Sequence, residues 1–322
     1  MIPTELSLET ITKTYQKLFP HVLKTPIIRA GSLINKILNT DVIFKMEFLQ
    51  NSGTFKSRGA INNILNLNDA QKITGVTAVS AGNHAIAASY AANKFGLKNK
   101  IFMYDSANEF RIEKCKALKA NLCFTDPHNA FKQVEKAAFE EGYFFIHPFD
   151  GVYTLQGTAS LGLEICNQID NIDNILISVG GGGLISGIGS LIKQIHPKCN
   201  IIGIEPEGAQ GMSISLQNKK PLKNVEIDTI ADSLSAPLHM PYSFNICQKI
   251  IDRMITVTDE EMINSMKFMF ENFKMMLEPA CVAGVAALLG PLKEQLSDQK
   301  TLILLCGSNM DVKTWNDLVF NK

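Results

Sequence analysis

Residues 76–96 read VTAVSAGNHAIAASYAANKFG: a short apolar run, a turn of small residues at Ser80–Gly82, and a helical pattern opening at Asn83. The alternation continues outward from there. KIFMY (100–104), LCFT (122–125) and YFFIHP (143–148) are apolar runs of strand length, and NEFRIEKCKALKA (108–120) and NAFKQVEKAAFEEG (129–142) are helical segments between them. Strands alternating with helices imply a parallel sheet. This unit closes near His147-Pro148. A second series follows, with helices at GTASLGLEICNQI (157–169), GLISGIGSLIKQI (183–195), EEMINSMKFMFENF (260–273) and CVAGVAALLGPLKEQL (281–296). Its strands are NILISV (174–179), NIIGIEP (200–206) and TLILL (301–305), and DVIFKMEFL (41–49) is strand-like upstream. The chain therefore reads as α/β, with a small α/β domain at 75–148 inserted into a larger one made of 1–74 and 149–322.

At 322 residues the chain exceeds the size at which a single core keeps growing. Lys plus Arg and Asp plus Glu balance at 31 each, without a basic stripe, which argues against nucleic acid or an anionic membrane as partner and for a small-molecule ligand. The opening residues, MIPTELSLETITKTYQKLF, alternate polar and apolar and lack the charged start and apolar centre of a signal peptide. No apolar run approaches the roughly 20 residues of a membrane span. The seven cysteines are scattered, with no Cys-x-x-Cys pair, so a reducing cytoplasm is expected rather than a disulfide framework or structural zinc.

Two stretches carry chemistry. SVGGGGLISG places Gly180, Gly181, Gly182 and Gly183 between a strand and a helix, where successive N–H groups form an anion site and glycine lets phosphate oxygens approach the backbone. Gly181, Gly183 and Ser186 nearly satisfy a dinucleotide fingerprint, with Glu205 where a ribose-binding acid belongs, so an NAD-dependent dehydrogenase is one reading. That reading leaves SGTFKSRGA (52–60) unexplained. A lysine set among small residues directly after a phenylalanine is a lysine held still and partly desolvated, and its amine attacks only when neutral.

Taken together, SGTFKSRGA, SAGNHAIAASYA (80–91), LQGTASLGLEI (155–165), SVGGGGLISG (178–187) and LLCGSNMD (304–311) resemble the fold-type II pyridoxal-phosphate enzymes, most closely the serine/threonine dehydratases. GIEPEGAQGMSISL (203–216), TIADSL (229–234) and LEPACVAGVAAL (277–288) resemble family segments as well, so the likeness spans nearly the whole chain. The resemblance implies two open parallel-sheet αβα domains of the tryptophan-synthase-β kind, pyridoxal 5'-phosphate as cofactor, and a homodimer. It makes Lys56 the Schiff-base lysine and general base, with Phe55 fixing its position. Asn83 is expected at the pyridoxal 3′-oxygen, and Gly180–Gly183 with the Leu184 N–H at the phosphate. Cys306 is expected to face the pyridine nitrogen; a thiol cannot hold that nitrogen protonated, which favours prompt loss of a β-leaving group. Ser80, Ala81, Gly82 and His84 would grip the substrate carboxylate at a helix N-terminus. The implied reaction converts L-threonine to 2-oxobutanoate, or L-serine to pyruvate, with release of ammonia.

Departures from the family pattern matter too. Serine racemases carry a second serine where this chain has Ala81, so racemisation is disfavoured although it stays an alternative, as does another 3-hydroxy amino acid as substrate. Asp232-Ser233 stands where many relatives have Asp-Gly, which places a side chain near the substrate end. Glu205 and the Ala209 carbonyl match a cation site of some relatives, but Gly211 replaces its aspartate, so no metal is expected. The appended regulatory domain of isoleucine-biosynthetic relatives is missing, so feedback by isoleucine is not expected. A non-catalytic amino-acid sensor is a third reading, against which Lys56 argues.

Overall fold

The computed structural model describes residues 2–320. Ten strands form it: β1 (Ile27–Arg29), β2 (Asp41–Lys45), β3 (Val76–Val79), β4 (Asn99–Tyr104), β5 (Leu122–Thr125), β6 (Phe144–Phe145), β7 (Asn174–Ser178), β8 (Asn200–Pro206), β9 (Arg253–Val257) and β10 (Lys300–Leu304). They make a six-stranded sheet, β1-β2-β10-β7-β8-β9, and a four-stranded sheet, β5-β4-β3-β6. Each pairing is parallel except β1 on β2, an antiparallel edge. The central strand β7 is buried at all five positions, as a strand covered by helices on both faces must be. The fold is α/β with two parallel sheets, as read from the sequence.

Several elements differ from their sequence reading, each for a local reason. The opening residues hold a helix, Leu8–Leu18, which buries Ile11, Thr14 and Leu18 along one stripe; its 3.6-residue period was masked by apparent alternation. The run 41–49 stops being a strand at Lys45, and Glu47–Leu49 is a 3₁₀ turn that points Glu47 inward. Residues 281–296 are not one helix: Pro279–Leu289 ends where Gly290 and Pro291 stop it. The helix read at 157–169 begins earlier, as Val152–Cys166, after Gly151 with φ +90°. YFFIHP contributes only the two residues of β6. By contrast the helix Asp259–Phe273 starts where Thr258 and Glu261 form a reciprocal capping box.

The helix Lys56–Leu65 occupies the junction of the two halves. Its Ala60, Ile61 and Ile64 pack with Val76, Ala87, Ala91 and Ile146 of the four-stranded side. Its other face meets the helix Val152–Cys166 so closely that a Cβ on Gly157 would lie 2.6 Å from the Arg58 carbonyl oxygen. Glycine in a helix costs about 1 kcal/mol relative to alanine, and here that cost permits the contact.

Candidate active site

A cleft of about 1010 Å³, counting space open to solvent, lies between the two sheets. Lys56, Phe55, Ser80, Ala81, Gly82, Asn83, His84, Gly180–Gly183, Leu184, Ser233 and Cys306 all line it. Residues spread over 250 positions of sequence thus meet in one place.

Lys56 enters as the first residue of its helix. Its Nζ donates to the Pro148 carbonyl and sits 5.1 Å from the Phe55 ring centroid. Burial lowers its pKa to about 8, so a useful fraction of the amine is neutral near physiological pH. The loop before it is laced to the chain leaving β10: Phe55 N donates to Cys306 O at 2.9 Å, and Thr54 bridges Gly307. Two residues further along, Arg58 donates from Nε and Nη2 to Glu47 (2.9 and 2.8 Å) and from Nη2 to Glu164 (3.0 Å). Lys45 completes this buried cluster with 2.6 Å to Glu164 and 2.7 Å to Gln168. Burial alone would raise the Glu47 pKa, but Arg58, the Thr25 hydroxyl and Lys45 together more than offset it and the carboxylate stays below its ordinary value.

The glycine loop has its carbonyls turned into the protein. Gly180 O accepts from His239 Nε2, Gly181 O from Ser243 Oγ, Gly182 O from Cys247 Sγ and Gly183 O from Thr158 Oγ1. The N–H groups of Gly181 to Leu184 meet no acceptor among the described residues, and they open the thirteen-residue helix Gly183–Ile195. A Cβ on Gly181 would fall within the Phe149 ring, and Gly182 has φ +87°. Beside the loop, Ser178 lines the cleft and its buried Oγ has no hydrogen-bond partner among the described residues. An anion bearing several oxygens fits this arrangement.

Across the cleft, Ser80 Oγ accepts from Gly82 N at 3.0 Å, which shapes the turn into the helix Asn83–Lys94. His84 donates from Nε2 to Ile146 O at 2.8 Å, and burial beside Lys56 lowers its pKa to about 3, so the imidazole is neutral. Cys306 is buried, with Sγ 3.8 Å from Ala280 O. Asn83 Nδ2 donates to Glu278 Oε1 at 2.6 Å and to Ser233 Oγ at 3.0 Å.

The sequence reading missed a set of lining residues. Arg111 pairs through both terminal guanidinium nitrogens with Asp232 and donates from Nε to Asn309 O at 2.9 Å. Glu278 also accepts from Asn309 N at 2.9 Å, and burial raises its pKa. Tyr104 and Phe131 line the cleft from the four-stranded side. Glu278 and Asn309 lay inside segments already recognised as family-like, whereas Arg111 sits in a charge-rich helix that marks it no differently from a solvated arginine.

Glu205, the candidate ribose or cation ligand of the sequence, lies at the end of β8 away from solvent. It is buried, and takes hydrogen bonds from Met212 N, Ser213 N (3.0 Å) and Ser213 Oγ (2.7 Å), with burial raising its pKa to about 7. It caps the helix Gly211–Gln217 and does not line the cleft. Those bonds leave it poorly placed for a ribose or a cation. At Gly211 a Cβ would come within 2.9 Å of both Val225 and His239, so the aspartate of a cation site has no room.

The comparisons with known proteins agree with this geometry. Residues 18–307 match the family model described as pyridoxal-phosphate dependent enzyme. The chain belongs to that family. It is 42% identical over 277 residues to a phenylserine dehydratase of Ralstonia pickettii, covering 86% of this chain and 85% of that one. It is 32% identical over 321 residues to an L-threonine ammonia-lyase of Thermotoga maritima, covering 98% and 79%. A solved structure of maize serine racemase superposes with a TM-score of 0.90 at 29% identity, covering 98% and 97%. Pyridoxal phosphate fits the enzyme on structural grounds as well, since a partly desolvated lysine amine faces a loop of unmet N–H groups in one cleft.

Proposed function

We propose that the enzyme is a dehydratase of 3-hydroxy amino acids, acting on L-threonine and/or L-serine and on substrates with an aromatic β-substituent, and releasing a 2-oxo acid and ammonia. The observation that carries this reading is the Lys56 amine, held near pKa 8, opposite the unmet N–H groups of the glycine loop. Bound pyridoxal phosphate supplies the electron sink that makes an amino acid's α-proton removable. Gly180–Leu184 would hold its phosphate, Asn83 its ring oxygen, and Cys306 would stand at its pyridine nitrogen. Ser80–His84, at the N-terminus of the helix Asn83–Lys94, would orient the substrate carboxylate. Lys56 would take the α-proton on Nζ; the β-hydroxyl leaves as water, and the enamine product hydrolyses to oxo acid and ammonia. Ala81 offers no proton donor, which favours elimination over racemisation. Tyr104 and Phe131 favour an aromatic substituent at the far wall, in keeping with the name of the 42% identical relative.

We further propose a division into a small domain, 75–148, within a large one, 1–74 and 149–322; it is supported by the four-stranded sheet being drawn entirely from Val76 to Phe145. A homodimer in the cytoplasm completes the proposal, supported by seven free thiols and checked by sedimentation for the dimer. The functional test is oxo-acid formation from L-threonine, L-serine and L-threo-phenylserine by the protein supplied with pyridoxal phosphate. Oxo acid from none of the three, or D-serine in excess of pyruvate, would overturn the assignment.

A further inference from the structure

The amide of Asn83 is fully committed. Its Nδ2 serves Glu278 at 2.6 Å and Ser233 at 3.0 Å, and its Oδ1 accepts from Asn309 Nδ2 at 2.7 Å. A side-chain amide has two N–H hydrogens, so any further acceptor at Nδ2 must displace one of these partners. The two are unequal. Glu278 is a buried carboxylate, also bonded to Asn309 N and 3.8 Å from Arg111, and charge-assisted hydrogen bonds are the stronger kind. Ser233 offers a neutral hydroxyl that already has a second partner, Asp232 Oδ1, at 3.2 Å. Ser233 is therefore the one that yields.

The two ends of that bond belong to opposite walls. Asn83 heads a helix between β3 and β4, while Ser233 sits in the 3₁₀ turn Asp232–Leu234 between β8 and β9. Asp232 is in turn held by Arg111, on the helix Glu109–Ala117 of the four-stranded side. A glycine at 233 could make no such bond.

We propose that Ser233 is a positioning residue that occupies Asn83 until the cofactor ring arrives, and then transfers its hydroxyl wholly to Asp232. The proposal rests on the reading that Asn83 meets the cofactor's ring oxygen. Its consequence is that cofactor binding works against the Ser233–Asn83 bond, so the serine holds cofactor affinity below what the site otherwise allows.

The test is an equilibrium titration of the cofactor-free protein with pyridoxal phosphate, followed by its visible absorbance, for wild type, Ser233→Ala, Ser233→Gly, Asn83→Ala and the Ser233→Ala/Asn83→Ala double variant. Loss of one neutral competing bond predicts about two- to tenfold tighter binding in both Ser233 variants. In the Asn83→Ala background the Ser233→Ala change should have no effect. Unchanged or weaker binding in Ser233→Ala and Ser233→Gly, or equal tightening with and without Asn83, overturns the proposal. Weaker binding in Asn83→Ala is expected whether or not Ser233 competes. Unchanged binding in Asn83→Ala instead removes the underlying placement of Asn83 against the cofactor, and the proposal with it.

Discussion

Two clusters of charge flank the cleft, and they are built on opposite terms. Under the lysine helix, the side chains of Lys45, Glu47, Arg58 and Glu164 are 0–1% exposed and pair with one another through short bonds, with only Arg58 Nη1 among their polar atoms left without a partner among the described residues. Over the cleft, Arg111 and Glu278 are likewise buried, but their partner Asp232 leaves 56% of its side chain in solvent. The first cluster lies wholly in the large-sheet half and around the helix Lys56–Leu65, where it has no route to water. The second ties a helix of the four-stranded half to a turn of the six-stranded half, with one member always able to trade its partner for water. A sealed cluster fixes geometry; a half-open one keeps a member that water can compete for.

Breaking the comparison begins with the group that the sealed cluster positions. Lys56→Ala should lower turnover about a thousandfold or more while circular dichroism stays native, and the visible band of bound cofactor should vanish. Arg58→Met strands the buried Glu47 carboxylate, while Glu164 keeps Lys45, so its expected cost is about 3–5 kcal/mol in urea denaturation. A cost below about 1 kcal/mol would place that cluster in the same class as a surface pair. Asp232→Asn probes the half-open cluster: stability should change by less than about 1 kcal/mol, because a solvated partner is lost. Catalytic efficiency should nevertheless fall about tenfold through misplacement of the cleft walls, and the wild type should lose part of that advantage at high salt. The last test concerns pH. Lys56 sits near pKa 8 rather than the ordinary 10.5, so its neutral fraction rises with pH and saturates above 8. Uptake of pyridoxal phosphate by the cofactor-free protein should quicken by about tenfold per pH unit below that value and then level off. A rise continuing to pH 10 would show that burial leaves the lysine unperturbed.

The sequence was most legible where local pattern and tertiary role coincide. GLISGIGSLIKQI and NIIGIEP become a helix and a strand with the very bounds that were read, because apolar periodicity there is also what packs the six-stranded core. Lys56 and the glycine loop were legible because few other roles explain a lysine among small residues or four glycines in a row. Strands β1 and β9 were not: three residues of an edge, and the mixed run RMITV, carry too weak a pattern. Arg111 was invisible for a different reason. Its importance comes from Asp232 and Asn309, 121 and 198 positions away, and no local spacing encodes such a meeting. The burial of Glu205 was not legible, because a carboxylate at a strand end is ordinarily wet and only the adjacent helix N-terminus explains it.

The order of strands in the larger sheet has a consequence for biosynthesis. Strand β10, the last to be made, lies between β2 and β7, pairing Lys300 with Asp41 and Thr301 with Asn174. Until it emerges from the ribosome, β2 has no neighbour on that side and Phe55 has no Cys306 carbonyl to meet. The slow, non-local pairing that closes the sheet is also the step that completes the lysine's surroundings. A nascent chain can form the four-stranded half early, but the six-stranded half and the chain beside Lys56 close only once β10 has been made.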